Sequence, residues 1–172
     1  MQILFTSDDI QAALEDLAPK IVNDLGTDFT VIPILTGGFI FAADLSRALF
    51  NAGADPKIDF LQLSSYGAAQ TSSGEVRLIK DLSISVENKS VLLIDDVLDS
   101  GRSLYRAKKM MQEAKATRVV TCVVVSKAIH RAEDIEADYA VFQVDGEAFL
   151  VGYGMDDAGA RRAMPHISVM AR

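Results

Sequence analysis

Val91 to Leu104 reads VLLIDDVLDSGRSL, and this stretch decides the fold class. Its first four residues, Val91 to Ile94, form a continuous apolar run, which is typical of a central parallel strand covered on both faces. Asp95 and Asp96 follow directly, so we expect them at the carboxyl end of that strand. In open α/β sheets this edge lines the ligand crevice. The stretch therefore predicts an α/β fold with acidic groups at its binding edge.

A turn of small and polar residues comes after Asp99 and opens a helix. Its members are Ser100, Gly101, Arg102 and Ser103. The free N–H groups and the dipole at a helix start favour an anion, so we expect a phosphate beside the carboxylates, as in a site for a phosphorylated sugar. Gly-x-x-x-x-Gly-Lys-Ser/Thr does not occur in the chain, which disfavours a nucleoside triphosphatase. The alternative interpretation is a strand end and a tight turn with solvated acids.

Composition limits the classes of protein to consider. The chain has 172 residues, of which 49% are hydrophobic, so we expect a single domain, residues 1–172, with a full core. A net charge of −7 disfavours binding to the backbone of nucleic acid. The sequence has no apolar stretch near the roughly 18 residues that span a bilayer and no leader-like start. We therefore expect a cytoplasmic protein without a membrane or nucleic-acid partner.

Cysteine and histidine are scarce. Cys122, the only cysteine, lies in an apolar strand-like run, and the two histidines are His130 and His166. An intrachain disulfide is impossible, and a structural zinc site has too few ligands. Any metal should therefore be a hard cation bound by oxygen. No Gly-x-Ser-x-Gly motif supports an acyl-transfer hydrolase.

Strand-like and helix-like segments alternate along the chain, which predicts a mostly parallel central sheet flanked by helices. The predicted helices are Thr6 to Leu25, Ile40 to Asn51, Arg102 to Glu113 and a short one near Asp157 to Met164. The predicted strands are Phe29 to Leu35, Lys57 to Leu63, Val91 to Ile94, Thr117 to Val125, Asp138 to Val144, Ala148 to Tyr153 and His166 to Met170.

A long polar segment, about residues 64–76, separates two of these elements and reads SSYGAAQTSSGEV from Ser64 to Val76. It is too long for a tight turn. Because long loops in compact domains are often functional, we interpret it as a lid. A plain hairpin loop is the alternative.

The segment VLLIDDVLDSGRSL resembles the phosphoribosyl pyrophosphate motif of type I phosphoribosyltransferases. In that family the paired acids hold the ribose hydroxyls and the following turn holds the 5′-phosphate. Three further segments resemble the hypoxanthine-guanine branch: PILTGGFIFAADLSRAL from Pro33, the segment 64–76, and a carboxyl-terminal third with VVVSKAIHR and FLVGYGMDD. The resemblance implies the type I phosphoribosyltransferase fold with a small hood, about residues 127–172 together with the amino terminus, over the base site.

The resemblance also implies roles for individual residues. Asp99 would be the catalytic base, and Asp95, Asp96, Ser100, Gly101, Arg102 and Ser103 would bind the ribose and its 5′-phosphate. Pyrophosphate would contact Thr36, Gly37, Gly38 and Arg162, with a cis peptide bond at Leu35-Thr36. Ser65 and Tyr66 would belong to the lid. Lys127 would contact the purine 6-oxo group, Phe149 the ring and Leu150 its edge, while Asp156, Asp95 and Asp96 would bind Mg²⁺. Thr36 departs from the family pattern, which often has lysine there.

The implied activity is transfer of the phosphoribosyl group from phosphoribosyl pyrophosphate to N9 of hypoxanthine or guanine. The resemblance also implies a homodimer or homotetramer and rejection of adenine. Two alternatives remain open at this point. One is a nucleotide-sensing regulatory protein that uses the same fold and binds RNA or DNA, since Arg102, Arg106, Lys108 and Lys109 lie on one helix. The other is the same chemistry on xanthine or another base.

Overall fold

The structure, a computed structural model, describes residues 1–65, 76–146 and 148–170. Within these ranges the helices are α1 (Ser7–Leu25), α2 (Phe39–Asn51) and α3 (Arg102–Glu113). The strands are β1 (Gln2–Phe5), β2 (Thr30–Leu35), β3 (Lys57–Ile58), β4 (Leu61–Ser65), β5 (Val76–Lys80), β6 (Ser90–Leu98), β7 (Arg118–Ala128), β8 (Tyr139–Asp145), β9 (Phe149–Val151) and β10 (Ile167–Met170).

The central sheet has the order β5-β4-β2-β6-β7-β8, with β3 beside β2. Every pairing is parallel except that of β4 with the edge strand β5. The predicted fold class, a mostly parallel sheet flanked by helices, is confirmed. The chain moves from β2 to one side through β4 and to the other through β6, so a topological switch point lies between β2 and β6.

Strand β6 shows why the sheet is covered on both faces. Leu92 and Ile94 pack into a cluster with the apolar sides of α1 and α2. Val91 and Leu93 point the other way, into a cluster with α3. All four side chains are fully buried, as the continuous apolar run predicts. This double burial holds the strand in register and fixes where its polar end emerges.

A second sheet joins the two ends of the chain. It is antiparallel, with the order β1-β10-β9, and Gln2 pairs with Val169 while Val169 pairs with Leu150. This small sheet forms the expected hood. β1 and β5 are absent from the sequence-based prediction, because short and mostly exposed strands show only weak alternation of apolar and polar residues.

Helix α1 begins as its sequence indicates. The Thr6 side chain and the Asp9 carboxylate form a capping box, and Gly26, with φ of 75°, ends the helix. Pro19 lies inside the helix without ending it. None of the helices in the described ranges is both long and apolar enough to cross a bilayer.

Two predicted elements are corrected. The helix near Asp157 to Met164 is wrong: this segment is a series of turns, because Ala158, Gly159 and Arg161 take positive φ values that a right-handed helix excludes. The strand Lys57 to Leu63 is interrupted, since the buried Asp59 carboxylate accepts backbone N–H bonds from Phe60, Ser83 and Ile84.

Candidate active site

The acidic end of β6 borders a crevice because its neighbour β2 stops pairing with it before Asp95. The last residue pair of β2 and β6 is Pro33 with Ile94. β6 itself continues to Leu98 along β7, so Asp95 and Asp96 lie in the part of the strand that β2 no longer pairs with. The strand therefore extends four residues beyond its predicted end at Ile94, and it begins one residue before Val91. The loop after β2 occupies the other side of the resulting crevice.

A cavity of about 220 Å³ lies in this crevice. Its lining includes all six residues predicted for the ribose and 5′-phosphate, the predicted catalytic Asp99, and two of the four residues predicted for pyrophosphate: Asp95, Asp96, Ser100, Gly101, Arg102, Ser103, Asp99, Gly37 and Arg162. Thr36 and Gly38 are not part of its lining, although they adjoin Gly37 in the same loop. The peptide bond Leu35-Thr36 is cis, as the resemblance implies.

A second cavity of about 350 Å³ adjoins the first. Its walls include Lys127, Phe149, Leu150 and Asp156, all predicted from the sequence. Asp96, Val97 and Asp99 line both cavities. The two spaces therefore meet at the acidic end of β6, which would place two bound molecules side by side.

Asp95 and Asp96 are close neighbours in a poorly solvated place. Burial, and after it the adjacent charge of Asp96, raises the pKa of the Asp95 carboxyl well above its usual value. Burial also raises the pKa of Asp96, while its backbone hydrogen bond from Val97 and the charge of Arg162 act in the opposite direction. Negative charge on this pair is therefore poorly compensated within the fold. Bound hydroxyl donors or a cation would relieve this cost.

The raised pKa of the Asp95 carboxyl predicts that this residue lowers the stability of the fold at neutral pH. A carboxyl whose pKa is raised in the folded state binds protons more tightly when folded, so its contribution to stability decreases as pH rises above the unfolded pKa. We expect Asp95→Asn to raise the melting temperature at pH 7 and the gain to shrink towards pH 4. In the variant, the side-chain amide oxygen can still accept the hydrogen bond from the Asp96 N–H, which the Asp95 carboxylate accepts at 3.0 Å. Thermal unfolding of the wild-type protein and the variant between pH 4 and pH 7 measures the difference in melting temperature. A lower melting temperature of the variant at pH 7 would contradict the argument.

The turn before α3 has the features expected of an anion site. Gly101 occupies the N-cap in the left-handed region, with φ of 81°, and no side chain caps the helix. The first turn of α3 contains no acidic residue that would neutralise the helix dipole. The Ser100 carbonyl accepts N–H bonds from Ala132 and Glu133, which hold the turn from outside. Its residues Ser100 to Ser103 line the smaller cavity.

Lys127 and Asp99 form an ion pair between the two cavities. The Lys127 ammonium donates to a carboxylate oxygen of Asp99 at 2.8 Å. The lysine side chain is only 9% exposed, whereas that of Asp99 is 49% exposed. A buried donor and a more accessible acceptor thus stand next to each other at the mouth of the larger cavity.

Glycines allow the loop after β2 to lie against the acids and the hood. A Cβ on Gly37 would overlap the Asp96 carboxylate, and one on Gly154 would overlap the Gly37 carbonyl oxygen. Arg162 secures this contact by donating to the Gly154 carbonyl at 2.6 Å and to the Asp156 carboxylate at 2.8 Å. The hood therefore holds an arginine over the smaller cavity.

Comparisons with known proteins agree with this arrangement. Residues 4–158 match the family described as phosphoribosyl transferase domain. A hypoxanthine-guanine phosphoribosyltransferase of Bacillus subtilis is 35% identical over 98% of this chain and 92% of its own. One of Aquifex aeolicus is also 35% identical, over 97% of this chain and 93% of its own. The chain belongs to the hypoxanthine-guanine phosphoribosyltransferase family.

Solved structures of the family have the same fold. The hypoxanthine phosphoribosyltransferase of Staphylococcus aureus superposes with a TM-score of 0.90 at 33% identity, covering 99% of this chain and 91% of that one. The enzyme of Trypanosoma cruzi in complex with its product IMP has the same TM-score at 32% identity, over 99% and 94%. The chain is thus a phosphoribosyltransferase enzyme, and the regulatory alternative is not favoured.

Some residues that line the two cavities were not predicted from the sequence. Val97, Ile129, Ala148 and Met155 complete the walls of the larger cavity, and Leu63 borders the smaller one. As single apolar residues at strand ends they carry no motif. Of the predicted lid, Tyr66 and residues 67–75 lie outside the described residues, and for Ser65 only its place at the end of β4 is described.

The residues predicted to bind Mg²⁺ do not form a single cluster of ligands. Among the residues that the structure describes, no three acidic, histidine or cysteine side chains converge on one metal position. Asp156 is paired with Arg162 instead of standing beside Asp95 and Asp96. The adjacent, poorly compensated acids still fit Mg²⁺, which is often held by one or two carboxylates and completes its shell with water and substrate oxygens.

Proposed function

We propose that the protein transfers the 5-phosphoribosyl group from phosphoribosyl pyrophosphate to N9 of hypoxanthine and guanine, giving IMP or GMP. The bond from C1′ of the ribose to pyrophosphate breaks, a bond from C1′ to N9 forms, and the purine loses one proton. The observation that carries the proposal is the pair of adjoining cavities that share Asp96 and Asp99. One cavity suits a sugar phosphate and the other a planar base.

The Lys127–Asp99 pair supports a 6-oxopurine in particular. In such bases O6 is an acceptor that lies beside N7 on one edge of the ring. The ammonium has three donors, so it can contact Asp99 and the 6-oxo group together, and the second Asp99 oxygen remains to accept a proton from N7. Adenine would present an amino donor to Lys127, which a closed pocket tolerates poorly. Phe149 provides a stacking surface that does not discriminate between purines.

In the smaller cavity, Asp95 and Asp96 accept hydrogen bonds from the ribose hydroxyls and so orient C1′ towards the base. The turn Ser100–Ser103 binds the 5′-phosphate through backbone N–H groups and hydroxyls. Gly37 and Arg162 receive the pyrophosphate, the glycine through its N–H and the arginine through its charge. Thr36 and Gly38 shape this loop without lining the cavity.

We propose Mg²⁺ as the cofactor, held through Asp95 and Asp96 with Asp156 nearby. When bound, the ion neutralises charge on the diphosphate. The pKa shift of the paired acids supports this choice, because poorly compensated carboxylates favour a cation.

The assay that tests the function uses the purified protein with phosphoribosyl pyrophosphate, Mg²⁺ and one base at a time, following nucleotide formation by absorbance. We expect turnover with hypoxanthine and guanine and none above background with adenine. Xanthine is included because a related base is the remaining alternative. Turnover with adenine and with none of the other bases, or no turnover with any base, would overturn the proposal.

Gly37→Ala provides a specific test of the pyrophosphate loop. The added methyl group would overlap the Asp96 carboxylate, so we expect that carboxylate to move from its position in the site. A misplacement of about 1 Å can lower the rate by 10², and we expect a loss of about this size in kcat/KM for phosphoribosyl pyrophosphate. Thermal unfolding monitors the fold. Full activity in this variant would remove Gly37 from the site.

We also propose that the protein forms a homodimer or homotetramer. Phe39 and Phe50, at the two ends of α2, are 48% and 63% exposed in the single chain, and apolar side chains of this size favour an interface. Light scattering after size-exclusion chromatography measures the mass, and a monomer at enzymatically active concentrations would contradict this proposal.

A further inference from the structure

Arg131 binds the end of β7 where Lys127 leaves the sheet. Its Nη2 donates to the Ser126 hydroxyl and to the Lys127 carbonyl oxygen, both at 3.0 Å. The pairing of β6 with β7 ends at Ser126, so beyond that residue β7 is held only by β8. The guanidinium therefore supports the strand at the point where one neighbouring strand is lost.

The surroundings of Arg131 hold the guanidinium in place. Its side chain is only 12% exposed, and Nη1 forms an ion pair with Glu136. Nε is buried and has no hydrogen-bond partner within the described part of the chain. A buried N–H without a partner is unfavourable for folding, so Arg131 is not placed to maximise stability alone. A role in positioning explains why an arginine lies there.

The segment that carries Arg131, residues 129–136, also contacts the phosphate turn. The N–H groups of Ala132 and Glu133 donate to the Ser100 carbonyl at 3.1 and 3.3 Å. Ile135 is buried and faces Gly101 so closely that a Cβ on the glycine would lie 2.7 Å from it. One loop thus supports the turn before α3 and, through Arg131, the backbone of Lys127.

We propose that Arg131 is a positioning residue for base recognition: it holds the Lys127 backbone so that the ammonium meets the purine 6-oxo group beside Asp99. This inference rests on the proposed function and extends it to a residue that lines neither cavity of the site. Without the two hydrogen bonds from Nη2, the end of β7 is free to shift and the ammonium loses its fixed direction. Because a hydrogen-bonded group must be aligned to contribute fully, small shifts weaken it.

The test compares Arg131→Met with Arg118→Met. Arg118 starts the same strand and makes a similar pair of bonds, to the Asp24 carbonyl at 2.8 Å and carboxylate at 2.7 Å, far from both cavities. For Arg131→Met we expect the KM for hypoxanthine to rise about tenfold, a typical effect of one lost charged hydrogen bond, with the KM for phosphoribosyl pyrophosphate within twofold of wild type. Arg118→Met should leave both constants unchanged. Arg131→Lys, which keeps a donor, should recover part of the loss.

A second measurement separates positioning from a general structural defect. The binding of IMP is compared with that of purine riboside 5′-monophosphate, which lacks the 6-oxo group. We expect Arg131→Met to weaken IMP about tenfold and the analogue less than twofold, because only IMP uses the ammonium. Equal weakening of both nucleotides, or no effect on either, would overturn the proposal. If Arg131→Met does not fold, Arg131→Lys carries the same comparison. Absence of any turnover in the wild-type protein would instead refute the proposed function.

Discussion

Asp99→Asn is expected to lower kcat by roughly 10²–10⁴, the usual contribution of a positioned acid or base. Asp99 lines both cavities and stands beside Lys127, so its free oxygen can take the proton that leaves the purine. An amide at this position keeps the shape and still accepts from the lysine, but it cannot accept the proton. Steady-state kinetics with hypoxanthine and saturating phosphoribosyl pyrophosphate measures the effect.

The matched control is Asp24→Asn, since Asp24 is also ion-paired, to Arg118 at 2.7 Å, but lies away from the site. It should change kcat less than twofold, consistent with the small contribution of surface pairs. A kcat for Asp99→Asn equal to that of the control would exclude proton transfer to this carboxylate.

Lys127→Met is expected to lower kcat/KM for hypoxanthine by about 10², because a charged hydrogen bond to the 6-oxo group is lost. The side chain of methionine has a similar length, so packing against the pocket is retained. The KM for phosphoribosyl pyrophosphate should change much less, since Lys127 does not line the smaller cavity. The discrimination against adenine should also decrease.

Lys115→Met controls for the loss of an ion-paired lysine. Lys115 pairs with Glu87 at 3.3 Å and is 76% exposed. We expect this variant to retain wild-type kinetics. If Lys127→Met behaves in the same way, the lysine has no part in recognising the base, and the purine must bind elsewhere.

The sequence was most informative where a local pattern of residues is compatible with only one structure. The apolar run before Asp95 requires burial on both faces, and the structure shows Leu92 and Leu93 in opposite clusters. Thr6 and Asp9 form the predicted capping box. All six residues predicted for the ribose and its 5′-phosphate line one cavity, because they follow the carboxyl end of a parallel strand at the switch point of the sheet.

The sequence was least informative where distant segments meet. The antiparallel pairing of β1 with β10 depends on contacts between the two ends of the chain, and short exposed strands have no strong period. The segment Asp157 to Met164 contains residues compatible with a helix, but positive φ values at Ala158, Gly159 and Arg161 exclude one. Arg131 is only four residues from Lys127, but its contact also escaped the sequence, since only the folded loop brings the guanidinium back to that carbonyl.

The central claim is that the acidic end of β6 holds the phosphoribosyl donor. A crystal structure of the protein soaked with phosphoribosyl pyrophosphate and Mg²⁺ tests it most directly. We expect the ribose hydroxyls at Asp95 and Asp96, the 5′-phosphate at the turn that begins with Ser100, and the pyrophosphate near Gly37. Donor density in any other place, with this crevice filled only by water, would contradict the account.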